Sequence, residues 1–191
     1  CFSAVIDPEA YRTGCLHNID SNLQQLSQPA YRLSAEQVRN LCRAQRAVVE
    51  SKRGWFDDRA RSGKIVEGHG DLRPEHICLA PEIAVIDCLE FSRDLRMVDA
   101  ADELAFLALE CERLGMPCLG STLLLAYSEI SEDWPDAMLL HFYQSHRATL
   151  RARITIRHLD EEKFRYSAEW RRRANEYLQL AQRHQNLVCP V

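Results

Sequence analysis

The sequence has no long hydrophobic run, no strong charge of either sign and no C-x-x-C cysteine pair. No stretch approaches the roughly 18 apolar residues that cross a bilayer, and the first residues lack the basic-then-apolar layout of a signal peptide. The net charge of −4 gives no electrostatic reason to expect nucleic-acid binding. We therefore expect a single folded domain over residues 1–191, with neither a membrane nor a nucleic acid as partner.

The eight cysteines are not spaced like those of a zinc ribbon or a disulfide scaffold. Cys42 and Cys111 lie inside apolar helical patterns, where a free cysteine behaves as a small hydrophobic residue. This usage predicts a reduced, cytoplasmic protein. A bridge between Cys78 and Cys88, which flank a predicted hairpin, is the alternative.

Glycine is scarce at the start of the chain, where Gly14 is the only one before Gly54. There is no G-x-G-x-x-G and no Walker A motif, so no glycine-rich phosphate-covering loop is expected in this chain. The first methionine is Met97, and the chain opens on Cys1. A longer parent protein, a trimmed initiator methionine and a lipid-modified cysteine are three explanations of that start.

Hydrophobic periodicity predicts a mainly helical protein with a small β-hairpin. A capping box at Ser34–Gln37 begins an amphipathic helix, and residues 98–114 are apolar on every face, which predicts a buried helix. Residues 1–33 are expected to form loops and one or two short helices. The other predicted elements are strands at 76–79 and 83–87, a charged loop at 88–97, and helices at 118–131, 134–158 and 160–184.

The most informative segment is His69-Gly70-Asp71-Leu72, with Ile77 eight residues after His69 and Ile86-Asp87 after a short apolar run. The order resembles H-G-D-L-x-x-x-N-I followed by I-D in the aminoglycoside phosphotransferase-type small-molecule kinases of the protein-kinase-like superfamily. Asp99–Ala105 similarly resembles that family's D-x-x-x-D-L-A, with Glu103 in place of the last aspartate. The resemblance implies the C-terminal catalytic lobe of such a kinase, without the N-terminal nucleotide-covering lobe.

The resemblance also implies roles for the residues of the motif. Asp71 would act on the hydroxyl of a small-molecule acceptor, while Asp87 and His76 would face Mg²⁺ or Mn²⁺ and the phosphates of ATP. His69 and Arg73 would support the loop. His76 stands where the family usually has asparagine, and imidazole suits Mn²⁺ better than Mg²⁺. It would either bind the metal, hydrogen-bond a phosphate or mark a weakened second metal site.

Charged residues outside the motif are further candidates for contacts with substrate or phosphate: Glu90, Arg93, Arg147 and Arg151. The alternative for each is a surface or structural ion pair. Arg96 and Asp99 are expected to pair with each other and to fix the charged loop to the buried helix.

Two further functions remain open at this stage. A catalytically degenerate lobe would act as a nucleotide-binding or protein-interaction module. A metal hydrolase would use His69, Asp71, His76 and Cys78, although these residues lack a standard zinc spacing.

Overall fold

The computed structural model describes residues 6–188, and these form eight α-helices and four short strands. The helices and strands are α1 (Pro8–Leu26), α2 (Ala35–Ser51), α3 (Arg53–Arg61), β1 (Ile65–Glu67), β2 (Ile77–Cys78), β3 (Ala84–Val85), α4 (Arg93–Arg96), β4 (Met97–Asp99), α5 (Ala100–Arg113), α6 (Pro117–Ser131), α7 (Ala137–Ile156) and α8 (Ala168–Val188). Short 3₁₀ turns lie at Pro29–Tyr31, Pro74–His76, Arg157–Asp160 and Glu162–Phe164. The chain is therefore mainly helical, as its periodicity predicts.

Helix α7 is central to the packing, since it contacts α1, α2, α5 and α8. Phe142 and Tyr143 of α7 are fully buried, and Phe142 meets Phe56 of α3 edge-to-face with ring centroids 5.3 Å apart. Helix α5 is buried on nearly every face, which confirms the prediction from its all-round apolar sequence. Both helices supply side chains to the site described below.

The predicted hairpin and the predicted N-cap at Ser34 are also confirmed. Strands β2 and β3 pair antiparallel, with Ile77 opposite Val85. The Ser34 hydroxyl accepts a hydrogen bond from the Gln37 amide at the start of α2. Within residues 6–188, no helix combines the length and apolarity that crossing a membrane requires.

The N-terminal prediction was wrong, because residues 8–26 form one 19-residue helix. The Asp7 carboxylate caps the Ala10 amide at 3.0 Å, and Pro8 occupies the first turn, where a missing amide hydrogen costs nothing. Gly14 lies inside the helix without a close neighbour. Packing against α2, α3 and α7 stabilises a segment that its local sequence marks as broken.

Several boundaries and contacts also differ from expectation. The expected helix at 160–184 begins only at Ala168, and the charged loop contains α4 and enters β4, which pairs with β1 as a second small sheet. Cys78 and Cys88 are free thiols, so they form no bridge. Cys1 lies outside the described residues.

The expected pair between Arg96 and Asp99 was also wrong. Arg96 binds Glu67 instead, and Asp99 is buried against Arg59, whose guanidinium donates to it at 2.6 and 2.7 Å. Arg59 also donates to Asp133 at 2.6 Å. Two carboxylates that share one buried cation fix α3 to the junction between β4 and α5.

Candidate functional site

A buried carboxylate binds the backbone of the loop between β1 and β2. Glu103, on the first turn of α5, accepts the backbone amide of His69 at 2.9 Å and also that of Gly70. Gly70 has φ +85°, and a Cβ there would meet the side chain of Leu89 and the carbonyl of Leu95. Only glycine satisfies both requirements at this position.

A second anchor comes from α7. Arg147 donates to both oxygens of Asp102, at 2.6 to 3.0 Å, and to the Gly70 carbonyl at 3.2 Å. Its guanidinium also lies 5.5 Å from the centre of the Phe106 ring. Arg147 thus ties the loop to both central helices, and its charge is already balanced by Asp102.

The two histidines of the motif stack on each other, with ring centroids 5.4 Å apart. His69 Nε2 lies 2.7 Å from the Ile86 carbonyl, while its Nδ1 accepts the Asp71 amide at 3.3 Å. His76 Nδ1 lies 2.9 Å from the Asp71 carbonyl. These acceptors assign a proton to His69 Nε2 and to His76 Nδ1. Both rings therefore brace the backbone on either side of Asp71.

The Asp71 carboxylate lies between two guanidinium groups. Arg73 Nε is 3.2 Å from one oxygen, and an Nη atom of Arg151 is 3.3 Å from the other. The side chain retains 22% of its exposure. Asp71 is thus oriented by two cations and still open on one side.

Asp87 stands on the opposite side of His76. It has φ +63°, a left-handed conformation that is uncommon outside glycine and is most often tolerated by asparagine and aspartate. Its side chain is 77% exposed, and one carboxylate oxygen lies 3.3 Å from His76 Nε2. An Nη atom of Arg73 lies 2.9 Å from that same nitrogen. Because Arg73 donates to Nε2, the Asp87 oxygen is close to this nitrogen without a hydrogen bond, and the His76 ring lies between the Asp71 backbone and the Asp87 carboxylate.

These residues fit a divalent cation only in part. Asp87 offers an exposed carboxylate, whereas Arg73 occupies the lone pair of His76 Nε2. Among residues 6–188, no three histidine, cysteine, aspartate or glutamate side chains come together as a metal-binding group. The predicted hydrolase cluster of His69, Asp71, His76 and Cys78 thus does not assemble. A magnesium–nucleotide site does not need one, because phosphates and water complete the coordination of Mg²⁺.

Asp71 opens onto a cleft of about 860 Å³. Helix α1 forms one wall, residues 89–98 a second and α7 a third. Apolar side chains from each wall line it: Tyr11, Cys15, Leu95, Met97, Leu150 and Ile154. Its size and its mixture of apolar walls with a few polar groups are typical of small-molecule sites.

The four charged candidates occupy different places around this cleft. Arg147 and Arg151 line it, both with partners inside the site. Arg93 lies at its rim and pairs with Glu67 at 3.2 Å. Glu90 is exposed and does not line the cleft. The structure therefore brings Arg151 to Asp71 and Arg147 to the neighbouring Gly70 carbonyl, and leaves Glu90 apart.

The roles of Asp102, Glu103 and His146 were not identified from the sequence. Asp102 and Glu103 are buried acids inside an otherwise apolar helix, and such residues require specific partners. That requirement was the signal that could have identified them. His146 lines the cleft with its Nε2 atom buried and without a hydrogen-bond partner in the described part of the chain. Its burial lowers the pKa of the imidazole to about 4, so the ring is neutral near pH 7.

Comparisons with known proteins relate the chain to uncharacterized mycobacterial proteins. It is 37% identical over 135 residues to an uncharacterized protein of Mycobacterium bovis and to uncharacterized proteins of two Mycobacterium tuberculosis strains, CDC 1551 and H37Rv. The alignment covers 70% of this chain and 27% of each relative. No protein-family model and no solved structure matches the chain. The chain therefore spans about a quarter of the length of the curated relatives it matches.

Proposed function

We propose that this chain is the catalytic, acceptor-binding part of an enzyme that transfers a phosphoryl group from ATP to a hydroxyl of a small molecule. One observation carries the proposal: a single braced loop presents Asp71 to a ligand-sized cleft, while the exposed carboxylate of Asp87 lies against the other side of His76. Phosphoryl transfer needs one carboxylate at the acceptor hydroxyl and another near the metal and phosphates. We propose that Asp71 takes the first of these parts and Asp87 the second.

In this proposal Asp71 works on the acceptor side. The hydroxyl enters from the cleft and donates its hydrogen to the Asp71 carboxylate, which accepts the proton as the oxygen attacks the γ-phosphorus and ADP leaves. Arg73 and Arg151 hold the carboxylate in place, which limits its loss of orientation during the reaction.

On the nucleotide side, Asp87 would hold Mg²⁺ or Mn²⁺, with His76 as a further ligand once Arg73 leaves its Nε2 atom. The metal would neutralise the charge of the phosphates. Arg73 would keep its Nε contact with Asp71.

A further part of the protein would cover the nucleotide. The hairpin and the following loop expose large apolar side chains, namely Leu79, Ile83, Val85, Ile86 and Phe91. An exposed apolar patch of this kind marks an interaction surface. A nucleotide-covering lobe of a longer, cytoplasmic parent protein is the partner we propose, in keeping with the greater length of the mycobacterial relatives.

One observation favours a second candidate function. Both oxygens of Asp71 face guanidinium groups, and Arg73 occupies the ring nitrogen that a metal would need. A degenerate lobe that binds nucleotide or a protein without catalysis would be stable in this arrangement.

Calorimetric titration of the 191-residue chain with Mg²⁺-ATP and Mn²⁺-ATP tests the nucleotide side. We expect binding with at least one metal and its loss in Asp87→Ala, while Glu82→Ala, an exposed acid on the same hairpin, leaves it unchanged. An absence of binding with both metals would refute a nucleotide site in this chain.

Turnover of ATP by the longer protein tests the catalytic side. We expect Asp71→Asn to reduce phosphotransfer by orders of magnitude with little change in ATP affinity. Asp58→Asn, on the exposed face of α3, is the matched control. Equal turnover in wild type and Asp71→Asn, with ATP binding intact, would favour the degenerate module.

A further inference from the structure

The cleft contains an arginine whose charge no residue in the described part of the chain balances. Arg153 of α7 lines the cleft and is half-buried. Among residues 6–188 it has no carboxylate within 4.0 Å, whereas Arg93, Arg147 and Arg151 of the same cleft all have one. Burial and the neighbouring Arg157 both lower its pKa, which shows that its surroundings disfavour the cation. A half-buried cation of this kind gains most from an anionic ligand.

His146 lies on the same face of α7 as Arg153. The two positions are seven residues apart, which is close to two turns of an α-helix. His146 is 7% exposed and its Nε2 atom has no hydrogen-bond partner within residues 6–188. The neutral ring is therefore an unpartnered polar group on the same edge of the α7 wall, about 10 Å along the helix axis from Arg153.

Asp71 lies at the edge of the α7 wall that is opposite Arg153. It contacts Arg151, which is about 160° around the helix from Arg153. Leu150 and Ile154 project between these two edges and line the cleft there. The α7 wall thus presents a polar edge at Asp71, an apolar middle and a second polar edge at Arg153.

The acids of the cleft do not favour a cationic ligand. Asp71 and Asp102 are already paired with arginines. Asp94 has no partner within 4.0 Å among the described residues, but it is exposed, so solvent and salt screen its charge. The least compensated and least screened charge in the cleft is therefore positive.

Building on the proposed function, we infer that the acceptor is an anion: a molecule whose hydroxyl reaches Asp71, whose apolar body contacts Leu150 and Ile154, and whose carboxylate or phosphate binds Arg153. A carboxylate or phosphate would form charge-assisted hydrogen bonds with the guanidinium. His146 would offer a neutral hydrogen bond to a polar group elsewhere on the ligand, along the same edge of the cleft.

Three probes of equal length test this class: ω-hydroxyoctanoate, octane-diol and ω-amino-octanol. Titration of the 191-residue chain by calorimetry or NMR should show the hydroxy acid binding at least about tenfold more tightly than the diol, and the amino alcohol more weakly still. A second pair, octyl phosphate and octanol, distinguishes a phosphate from a carboxylate as the preferred anion.

Variants assign that preference to the cleft. Arg153→Met should reduce the affinity for the hydroxy acid to that for the diol, and Arg153→Lys should restore part of the difference. Arg39→Met, which removes an exposed arginine of α2 outside the cleft, is the matched control. Gly14→Leu should block all three probes, because a side chain at Gly14 enters open space at the cleft wall.

The inference is overturned if the amino alcohol or the diol binds as well as the hydroxy acid, if none of the three binds, or if Arg153→Met leaves the preference intact. These measurements contain no nucleotide. An anion preference that depends on Arg153, in a protein that neither binds nor cleaves ATP, would therefore support this inference while refuting the proposed function.

Discussion

Replacement of Glu103 by glutamine should loosen the candidate catalytic loop without removing any of its residues. The carboxylate accepts the amides of His69 and Gly70 at a buried position. A glutamine keeps the shape but offers one carbonyl oxygen, so its NH₂ group would face a backbone N–H, and one buried donor would lose its acceptor.

The expected cost follows from those two hydrogen bonds. Hydrogen bonds to charged groups contribute about 1.5 to 3 kcal/mol each, and an unsatisfied buried donor costs a further 1 to 3 kcal/mol or so. With partial relaxation of the loop, we expect a loss of about 3 kcal/mol. At about 2 to 4 °C per kcal/mol for a chain of this size, Tm should fall by about 6 to 12 °C.

Two assays check this prediction. Thermal and urea unfolding measure the stability, and hydrogen exchange of the His69 and Gly70 amides measures the local effect. Glu129→Gln, an exposed acid on α6 without an ion pair among residues 6–188, is the control and should change neither. An unchanged Tm together with unchanged exchange at both amides would show that Glu103 does not hold the loop.

Three further predictions concern other parts of the site and the core. Gly68→Ala should destabilise the protein and speed hydrogen exchange in the loop, because the added Cβ would overlap the Glu103 carboxylate. Gly54→Ala is the control, since its Cβ meets nothing within 4 Å, and it should be neutral or stabilising by up to about 1 kcal/mol in urea unfolding. Because burial lowers the pKa of His146 to about 4, the unfolded chain binds the proton more readily, so about 3 kcal/mol of stability should be present above pH 6.5 or so and lost as the pH falls toward 4. The same unfolding series on His146→Gln should show a shallower loss across that window, and an identical pH profile would contradict the assignment. Arg59→Met should cost about 3 to 5 kcal/mol in urea unfolding, because it leaves buried Asp99 without a cation and Asp133 with only Lys64, at 3.7 Å. A cost below about 1 kcal/mol would show that this network contributes little.

Elements with a strong local pattern could be predicted from the sequence. Helix α5 is apolar on every side, and the cap of α2 is encoded within four residues. Helix α1 could not be predicted in this way, because Gly14 and a polar surface weaken its local signal and its stability comes from packing against three distant helices.

The residues of the site likewise divide into those that a local motif identifies and those that it does not. The motif pointed to Asp71, His76 and Asp87 because they lie close together in the sequence. The partners that orient them come from far away: Arg151 is 80 positions from Asp71, and Glu103 is 33 from Gly70. Pairings over such separations depend on the whole helical arrangement, so local patterns carry no information about them.

Helix α7 binds the motif loop with one face and lines the cleft with another. Arg147 binds the loop from one face of this helix, while His146 and Arg153 line the cleft from another face. Because the helix packs against four others, its two faces keep a fixed position relative to each other. Under the proposed function, substitutions on the second face would therefore change which molecule binds while the first face keeps the loop aligned. Related proteins would then differ in ligand through a few side chains on a single helix.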